Sequence, residues 1–392
     1  MYLTREEEKI YDGELGWAYE ISMRILVKLG DIFGATRLIP IESAHISGVS
    51  YKTMGDAPID FLEALVEGGG KAKATSTVNP SSFDYKYLNY MPVSHVIQEK
   101  QIKIIDLYKK MGVNPVLTCT PYYIEKPKPG SHLAWAESSA VVYANSVLGS
   151  WTNREGSPSA LASALIGKTP NYGIHQPMNR RANFLVKVQT PLENETDFGA
   201  LGIHLGKVLK DKVPVFEGLL KPEEVDLKQM GAAMATTGMV SIFHLCYSCR
   251  KREENLETLT VESKELKETF ESLSTTSENP DMVFIGCPHC SFDEIRRVAE
   301  MIRGKRVKED VKLWVCTSCY VREKAKEYVD IIENAGGKVI SDTCAVVTWI
   351  KELGVETLMT NSAKTAYYAP ALNNVKVTFA PLSLCINTAC RR

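Results

Sequence analysis

Short apolar runs alternate with helix-like stretches through the last third of the chain. Five of these runs have the length and composition of buried strands: residues 281–286, 311–315, 338–341, 356–360 and 375–380. After the first run, Ser291 and Glu294 form a capping box that predicts the start of a helix, and a further helix is predicted over residues 345–353, ending at Gly354. Strands that alternate with helices indicate βαβ units, so we predict an α/β fold with a parallel sheet.

Helix signals also mark the beginning of the chain. Thr4 and Glu7 form a capping box, and the helix that they begin is predicted to end at Asp12-Gly13. A second helix is predicted over residues 14–29, ending at Gly30, and the charged, periodic stretch 251–272 predicts an exposed helix. We therefore predict an N-terminal region, residues 1–278, followed by a C-terminal α/β domain, residues 279–392.

Composition narrows the class of protein. The 392 residues include 46 Lys and Arg and 47 Asp and Glu, a balance that gives no general reason to expect nucleic acid or a membrane surface as a partner. The N-terminus has no apolar segment typical of a signal peptide, and no apolar run approaches the ~20 residues of a membrane span. We therefore expect a cytoplasmic protein, in which 10 cysteines are more typical of metal binding or catalysis than of disulfides.

Several cysteines directly follow predicted strands. Cys287, Cys316 and Cys344 come after the first three C-terminal runs, and Cys119 follows a strand-like run at residues 115–118. Cys385 lies beyond the last run, in the first turn of a predicted helix. Because ligands of parallel α/β sheets bind beyond the carboxyl ends of the strands, the four cysteines that follow strands are candidates for a ligand site.

Three C-x-x-C pairs leave more than one kind of site open: Cys246/Cys249, Cys287/Cys290 and Cys316/Cys319. Two such pairs can bind a structural zinc ion, with His289 as a further candidate ligand. The same spacing also occurs in disulfides and among buried thiols. Spacing alone therefore does not decide between a zinc-stabilised binding protein and an iron–sulfur enzyme.

Seven ordered motifs extend over nearly the whole chain: SAHISGVSY, TSTVNPSSFD, LTCTPYY, WAESSAVVYANSVLGSWTNREG, VFIGCPHCSFDEIRRVAE, ENAGGKVISDTCAVV and MTNSAKTAYYAP. In this order they resemble the aconitase X family. The Cys246/Cys249 and Cys316/Cys319 pairs lie outside the motifs that recur in that family. We interpret these two pairs as lineage-specific disulfides or buried thiols.

The resemblance implies an aconitase-like multi-domain α/β fold and a hydro-lyase that carries a 4Fe-4S iron–sulfur cluster. The family contains single-chain hydroxyproline dehydratases with a fused swivel domain, and archaeal phosphomevalonate dehydratases that keep this domain on a small partner subunit. This chain leaves no room for a fused swivel domain, so we expect the large subunit of a heterodimer.

The expected reaction is dehydration of (R)-mevalonate 5-phosphate to trans-anhydromevalonate 5-phosphate, in the modified mevalonate pathway to isoprenoids. Dehydration of a hydroxyproline-type acid is the alternative within the family. The resemblance to aconitase further implies that the catalytic base, a serine, lies on the partner subunit.

The resemblance also suggests which cysteines hold the cluster. Three thiolates leave one iron open for substrate, whereas four would not. Of the cysteines in family motifs, we predict Cys119, Cys287 and Cys344 as the ligands because each follows a strand, with Cys385 in reserve. A closer analogy to aconitase would instead choose Cys287, Cys344 and Cys385.

The candidate substrate-binding residues are polar or turn-forming positions within the same motifs. Backbone N–H groups of Gly48, Val49 and Ser50 could bind a phosphate as a nest, with a plain turn as the alternative. The other candidates are Asn79, Pro80, Ser138, Ser139, Asn145, Asn361 and Ser362. His45 is a possible acid, an orienting group or, most commonly for such a residue, a satisfied core histidine, and we interpret Arg180-Arg181 as a solvated patch.

Overall fold

The chain forms two compact units in a computed structural model that describes residues 1–90, 93–246 and 256–391. The first unit consists of Met1–Ser82 and Val93–Arg181, and the second of Phe83–Pro92 and Ala182–Arg392. The short segment that begins at Phe83 therefore belongs to a different unit from the residues on either side of it.

The first unit combines a parallel sheet with helices. Its strands are β1 (Leu38–Pro40), β2 (Ser43–Ile46), β3 (Thr75–Val78), β4 (Asn114–Leu117), β5 (Leu133–Trp135) and β6 (Lys168–Pro170). Its helices are α1 (Arg5–Tyr11), α2 (Trp17–Ile32), α3 (Tyr51–Met54), α4 (Ala57–Glu67), α5 (His95–Lys110), α6 (Ser138–Ser146) and α7 (Ser157–Ile166). Four parallel strands follow the order β4-β3-β2-β5, and β1 pairs antiparallel with β6.

In the two N-terminal helices, the capping box predicted the start of α1 correctly, whereas Gly30 did not predict the end of α2. The capping box of Thr4 and Glu7 is present, and α1 ends before Asp12, as predicted. Helix α2 begins after Gly16 and continues through Gly30 to Ile32, so the prediction that Gly30 ends it was wrong. A Cβ at Gly30 would lie 2.6 Å from Met1 Sδ, which indicates that this glycine permits close packing inside the helix.

The second unit contains two parallel sheets. Its strands are β7 (Phe184–Val188), β8 (Pro214–Glu217), β9 (His244–Leu245), β10 (Glu257–Val261), β11 (Met282–Ile285), β12 (Arg306–Val307), β13 (Lys312–Thr317), β14 (Lys338–Ser341), β15 (Thr357–Thr360), β16 (Lys376–Phe379) and β17 (Cys390–Arg391). Its helices are α8 (Glu195–Leu209), α9 (Glu224–Thr237), α10 (Ser263–Leu273), α11 (Phe292–Ile302), α12 (Cys319–Lys324), α13 (Lys326–Asn334), α14 (Ala363–Asn373) and α15 (Leu382–Ala389). Among the described residues, the orders of the two parallel sheets are β10-β7-β8-β9 and β14-β13-β11-β15-β16, and β12 pairs antiparallel with β17.

The sheet β14-β13-β11-β15-β16 confirms the predicted βαβ pattern, because its neighbouring strands are all parallel. The capping box of Ser291 and Glu294 begins α11 as predicted. One local prediction was wrong. Residues 345–350 are not helical, and only a short 3-10 turn, Lys351–Leu353, precedes Gly354. The connection after β13 contains α12 and α13, which are separated at Ala325.

The prediction of one exposed helix over residues 251–272 was also wrong. Residues 251–255 lie outside the described part of the chain, and β10 occupies Glu257–Val261, pairing parallel with β7. Only α10 is helical among the described residues of this stretch. The buried Val261 and the parallel neighbour select the strand conformation, which the charged composition concealed.

Glycines allow α8 and α9 to pack closely. A Cβ at Gly202 would lie 2.4 Å from Met230 O, and a Cβ at Gly206 would lie 2.2 Å from Thr237 Oγ1. The two helices therefore approach at positions where any side chain would collide with the partner. None of the helices in the described ranges is long and apolar enough to cross a membrane.

Candidate functional site

The first unit carries a series of hydrogen bonds near the carboxyl ends of its strands. His45 lies on β2, and its Nδ1 is 2.8 Å from Thr77 Oγ1 on β3. Its Nε2 is 2.7 Å from Oδ1 of Asn79, which follows β3. Asn79 Nδ2 donates to Glu137 Oε2 at 2.7 Å. The series therefore extends from a buried histidine to a carboxylate that follows β5.

Burial keeps the His45 ring neutral. The residue is 0% exposed, and burial lowers the pKa of His45 to about 4, although Asn79 and Glu137 partly oppose this shift. A neutral ring carries one N–H. Because Asn79 directs its Nδ2 to Glu137, its Oδ1 accepts from His45 Nε2. His45 Nδ1 lies 2.8 Å from the Thr77 hydroxyl, and the ring has a further hydrogen bond with the Thr118 backbone. His45 is therefore both a satisfied buried histidine and a group that orients Asn79.

Ser138 and Ser139 begin α6 directly after Glu137. Ser139 donates to Glu137 Oε1 from its backbone N at 3.3 Å and from Oγ at 2.8 Å. The Glu137 carboxylate is thus held on one oxygen by Asn79 and on the other by Ser139. Pro80, which follows Asn79 in the sequence, is buried, and Ser138 is half-buried. Substrate binding by these residues stays a prediction.

The backbone at Gly48 has the conformation that a nest requires. Its φ is +75°, in the left-handed region that favours glycine. The Val49 carbonyl accepts from Gln101 Nε2 at 2.9 Å, and Ser50 Oγ lies 2.8 Å from Ser82 Oγ. These bonds fix the turn within the buried interior of the unit. Phosphate binding at Gly48, Val49 and Ser50 stays a prediction.

Asn145 and Arg180 form a polar cluster that the sequence did not reveal. Asn145 Nδ2 donates to Thr152 O at 2.9 Å, and Asn145 Oδ1 accepts from the Thr152 backbone N and from Arg180. The Arg180 guanidinium lies 4.3 Å from the centre of the Trp151 ring, and burial lowers the pKa of Arg180 to about 10. The interpretation of Arg180 as a solvated residue was therefore wrong, whereas Arg181 is exposed. Substrate binding by Asn145 stays a prediction.

In the second unit, Cys287 and Cys344 follow β11 and β14, at the carboxyl edge of one sheet. Both thiols are buried and free. Burial raises the pKa of Cys344 to about 12, and the Cys287 thiol makes a further contribution to this shift. His289 Nε2 donates to Thr343 O at 3.0 Å and thereby ties the two cysteine-bearing loops together. The tertiary fold thus brings together two of the predicted cluster ligands.

The other C-x-x-C cysteines have different surroundings. Cys290 and Cys316 are buried, and burial raises the pKa of both thiols well above the usual range. Cys316 and Cys319 are both free, so the disulfide interpretation of this pair was wrong, and the buried-thiol interpretation holds for Cys316 only. Cys319 is exposed, and its thiol lies 3.6 Å from Glu323. The Cys246/Cys249 pair lies partly outside the described residues and stays a prediction.

Asn361 and Ser362 follow β15 at the same edge. Ser362 Oγ donates to the Cys287 carbonyl. Asn361 Nδ2 donates to Glu195 Oε1 at 3.2 Å, but its Oδ1 is buried and has no hydrogen-bond partner among the described residues, as is also true of Thr343 Oγ1. Buried polar atoms normally have partners because leaving them unpaired is costly. This edge is therefore suited to a polar ligand, although binding by Asn361 and Ser362 stays a prediction.

Asp84 supports the loop that carries Cys344, a role that sequence reasoning missed. Asp84 Oδ2 accepts from the Ser341 backbone N at 2.7 Å, and Oδ1 accepts from the Lys86 backbone N at 2.8 Å. The adjacent Phe83 is fully buried and stacks on Trp349, with ring centres 5.9 Å apart. The only signal for this in the sequence is that FD closes the TSTVNPSSFD motif.

Asp84→Ala is expected to loosen the loop between β14 and Cys344. The substitution leaves the buried Ser341 N–H without an acceptor, which costs about 1–3 kcal/mol. Backbone amides of residues 338–344 should then exchange with deuterium roughly ten- to a hundredfold faster. Hydrogen–deuterium exchange followed by mass spectrometry measures this. Asp84→Asn, which keeps one acceptor oxygen, is the matched control, and an unchanged rate in Asp84→Ala would contradict the role.

Cys287 and Cys344 also fit an iron–sulfur cluster chemically. Thiolates are the usual ligands of such clusters, and a buried thiol with a raised pKa, such as that of Cys344, ionises readily only beside a cation such as iron. The unpaired polar atoms of Thr343 and Asn361 lie in the adjoining loops. Among the described residues, no group of three or more His, Cys, Asp and Glu side chains is arranged to hold a metal ion.

The third ligand therefore stays a prediction. Cys119 follows β4 in the first unit and is buried. Cys385 is the fourth residue of α15; its thiol donates to Ala380 O at 3.4 Å, and burial raises its pKa to about 12. Besides burial, the charge of Glu195 also raises the pKa of Cys385.

The chain matches sequence models of three domains of one family. Residues 1–178 match "Aconitase X first domain", residues 182–271 "Aconitase X second domain" and residues 280–391 "Aconitase X third domain". The chain is 45% identical to the phosphomevalonate dehydratase large subunit of Methanocaldococcus jannaschii, over 97% of this chain and 98% of that protein. It is 33% identical to the cis-3-hydroxy-L-proline dehydratase of Hypocrea jecorina, over 99% of this chain and 68% of that protein.

A solved structure agrees with these matches. The crystal structure of Thermococcus kodakaraensis aconitase X in its holo-form superimposes with a TM-score of 0.92 at 43% identity, covering 99% of this chain and 100% of that one. This agreement confirms the predicted α/β fold with parallel sheets. On both sequence and structure, the chain belongs to the aconitase X family.

Proposed function

We propose that this chain is the large subunit of a phosphomevalonate dehydratase, a hydro-lyase that converts (R)-mevalonate 5-phosphate into trans-anhydromevalonate 5-phosphate. The observation that carries the proposal is the 45% identity to a phosphomevalonate dehydratase large subunit over nearly the full length of both proteins. The hydroxyproline dehydratase is a more distant relative, and this chain spans only 68% of its length.

The reaction removes a proton from C2 and the hydroxyl group from C3 of a 3-hydroxy acid. Hydroxide is a poor leaving group, and the C2 proton is weakly acidic because the neighbouring group is a carboxylate. A 4Fe-4S cluster, with Cys287, Cys344 and Cys119 as its proposed ligands, would supply Lewis acidity for the hydroxyl and carboxylate of the substrate. Cys385 is the reserve for the third ligand.

The residues of this chain would bind and orient the rest of the substrate. Backbone N–H groups at Gly48, Val49 and Ser50 are the proposed site for the phosphate, supported by the φ of +75° at Gly48. The Asn79 amide and the Glu137 carboxylate, fixed by their hydrogen bonds, are polar groups for the reacting end of the substrate. In the second unit, the unpaired Asn361 Oδ1 is a further candidate.

A small swivel-domain subunit is the proposed partner, and it would carry the serine that removes the C2 proton. The word "large" in the name of the M. jannaschii relative supports a two-subunit enzyme. We therefore expect this chain, loaded with iron and sulfide, to dehydrate mevalonate 5-phosphate only after the small subunit is added. Anaerobic purification of the chain with and without that subunit, followed by turnover assays, measures this.

Three outcomes separate the alternatives. Full turnover by the isolated, cluster-loaded chain would contradict the role of the partner. Faster turnover of cis-3-hydroxy-L-proline than of mevalonate 5-phosphate would favour the other activity of the family. Zinc without sulfide in the anaerobically purified protein would instead favour a zinc-stabilised binding protein.

A further inference from the structure

The hydrogen bonds of His45 are unusual for a histidine that only fills a core. Both ring nitrogens bond to side chains of the same sheet edge, Thr77 at 2.8 Å and Asn79 at 2.7 Å. The proton on Nε2 and the orientation of the Asn79 amide are coupled, because a donor at Nε2 requires Oδ1 opposite it. With Oδ1 turned to His45, Nδ2 is left to donate to Glu137.

An amide in the opposite orientation would be unfavourable at both ends. Its oxygen would face the Glu137 carboxylate, and its NH2 group would face the His45 N–H. The first contact sets two acceptors against each other, and the second sets two donors against each other. His45, with 0% exposure, has no solvent to which it could turn instead. The buried His45 thus determines which atom of the Asn79 amide faces the Glu137 carboxylate.

We infer that His45 is a positioning residue of the dehydratase, whose Nε2–H fixes the Asn79 amide so that Nδ2 bonds the Glu137 carboxylate. The expected effect of His45 on turnover rests on the proposed function, because Asn79 and Glu137 are the groups proposed to contact the substrate. The orientation of the amide itself does not depend on the identity of the substrate.

Two substitutions separate the bonds of the two ring nitrogens. Gln is long enough to place an amide N–H near the position of Nε2, so His45→Gln keeps a donor for Asn79. Asn is shorter and places its oxygen near the position of Nδ1, so His45→Asn keeps an acceptor for Thr77 and loses the donor. Both variants remove the ring from the core, and a purely structural role predicts similar losses for both.

The expected result is rescue by Gln but not by Asn. In the complex with the small subunit, His45→Asn should lower kcat for mevalonate 5-phosphate by roughly ten- to a hundredfold, because the Asn79 amide is no longer held in the orientation that bonds the charged Glu137 carboxylate. His45→Gln should remain within a few-fold of wild type. Thermal denaturation of both variants checks that they are folded to the same extent.

A second measurement needs no turnover. Selective 15N labelling of asparagine, with the Asn79 signal assigned by its loss in Asn79→Ala, reports the environment of the Asn79 side-chain NH2 group. We expect this signal to be preserved in His45→Gln and displaced in His45→Asn. Equal activities and equal Asn79 signals in the two variants would overturn the inference. An inactive wild type with the expected difference in the Asn79 signal would reject the proposed function and leave the positioning role intact.

Discussion

Cys287→Ser and Cys344→Ser are each expected to remove the cluster iron and to lower dehydratase activity by roughly a thousandfold or more. The two thiols are buried on loops that the hydrogen bond from His289 to Thr343 joins. Within the described part of the chain, Thr343 Oγ1 and Asn361 Oδ1 are buried polar atoms without hydrogen-bond partners. Loss of either thiolate leaves too few ligands for a cluster held by three cysteines. Iron and sulfide analysis of anaerobically purified protein, together with turnover in the presence of the small subunit, measures both effects.

Cys319→Ser is the matched control for these substitutions. Cys319 is a free cysteine of the same unit, but it is exposed and its thiol lies against Glu323, so iron content and activity should be unchanged. Cys119→Ser and Cys385→Ser decide the third ligand. Retention of a full cluster in Cys119→Ser with its loss in Cys385→Ser would show that the proposed set is wrong.

Unphosphorylated mevalonate is expected to be a far poorer substrate than mevalonate 5-phosphate. Hydrogen bonds to a charged group contribute roughly 1.5–3 kcal/mol each, so two such bonds to the phosphate correspond to a decrease in kcat/KM of about two to four powers of ten. The donors proposed for the phosphate lie at Gly48, Val49 and Ser50, in a turn fixed by Gln101 and Ser82. Steady-state assays of both substrates with the two-subunit enzyme measure the ratio.

Ser50→Ala tests where the phosphate binds. The substitution keeps the backbone N–H of Ser50 but removes the hydrogen bond between Ser50 Oγ and Ser82 Oγ that fixes the turn. It should therefore weaken binding of mevalonate 5-phosphate by up to about one power of ten, and it should affect unphosphorylated mevalonate less. Ser76→Ala is a suitable control, because Ser76 is a buried serine of the same unit whose hydroxyl donates to the Ala74 carbonyl two residues earlier in the chain. Equal turnover of mevalonate and its phosphate by wild type would reject the phosphate site and favour the hydroxyproline-type alternative.

Local sequence signals were sufficient to predict helix starts and buried strands where a single signal, such as a capping box or an apolar run, dominated. The capping boxes at Thr4 and Ser291 begin helices because their side chains satisfy backbone donors within one turn. The parallel strands around β11 were predictable because a strand covered on both faces is apolar throughout. The same reasoning placed Cys287 and Cys344 at the carboxyl ends of their strands, and both lie there in the folded chain.

The sequence failed where distant residues select the conformation. Gly30 lies inside α2 and close to Met1 Sδ, so it permits packing and does not end the helix. Within the charged stretch, residues 257–261 form a strand because β7 offers a parallel neighbour. Cys390 lies near the end of the sequence, yet it is buried, and β17, which begins at Cys390, pairs with β12.

For the site, the order of amino acids was enough to give the residue types and the motifs that identify the family. Which of these residues act together depends on the fold. Asn79 and Glu137 are 58 positions apart, and Asp84 and Ser341 are 257 positions apart, yet each pair is joined by one hydrogen bond. Hydrogen bonds act over about 3 Å whatever the separation along the chain. The orientation of Asn79 by His45 and the support of the Cys344 loop by Asp84 therefore become visible only in the folded protein.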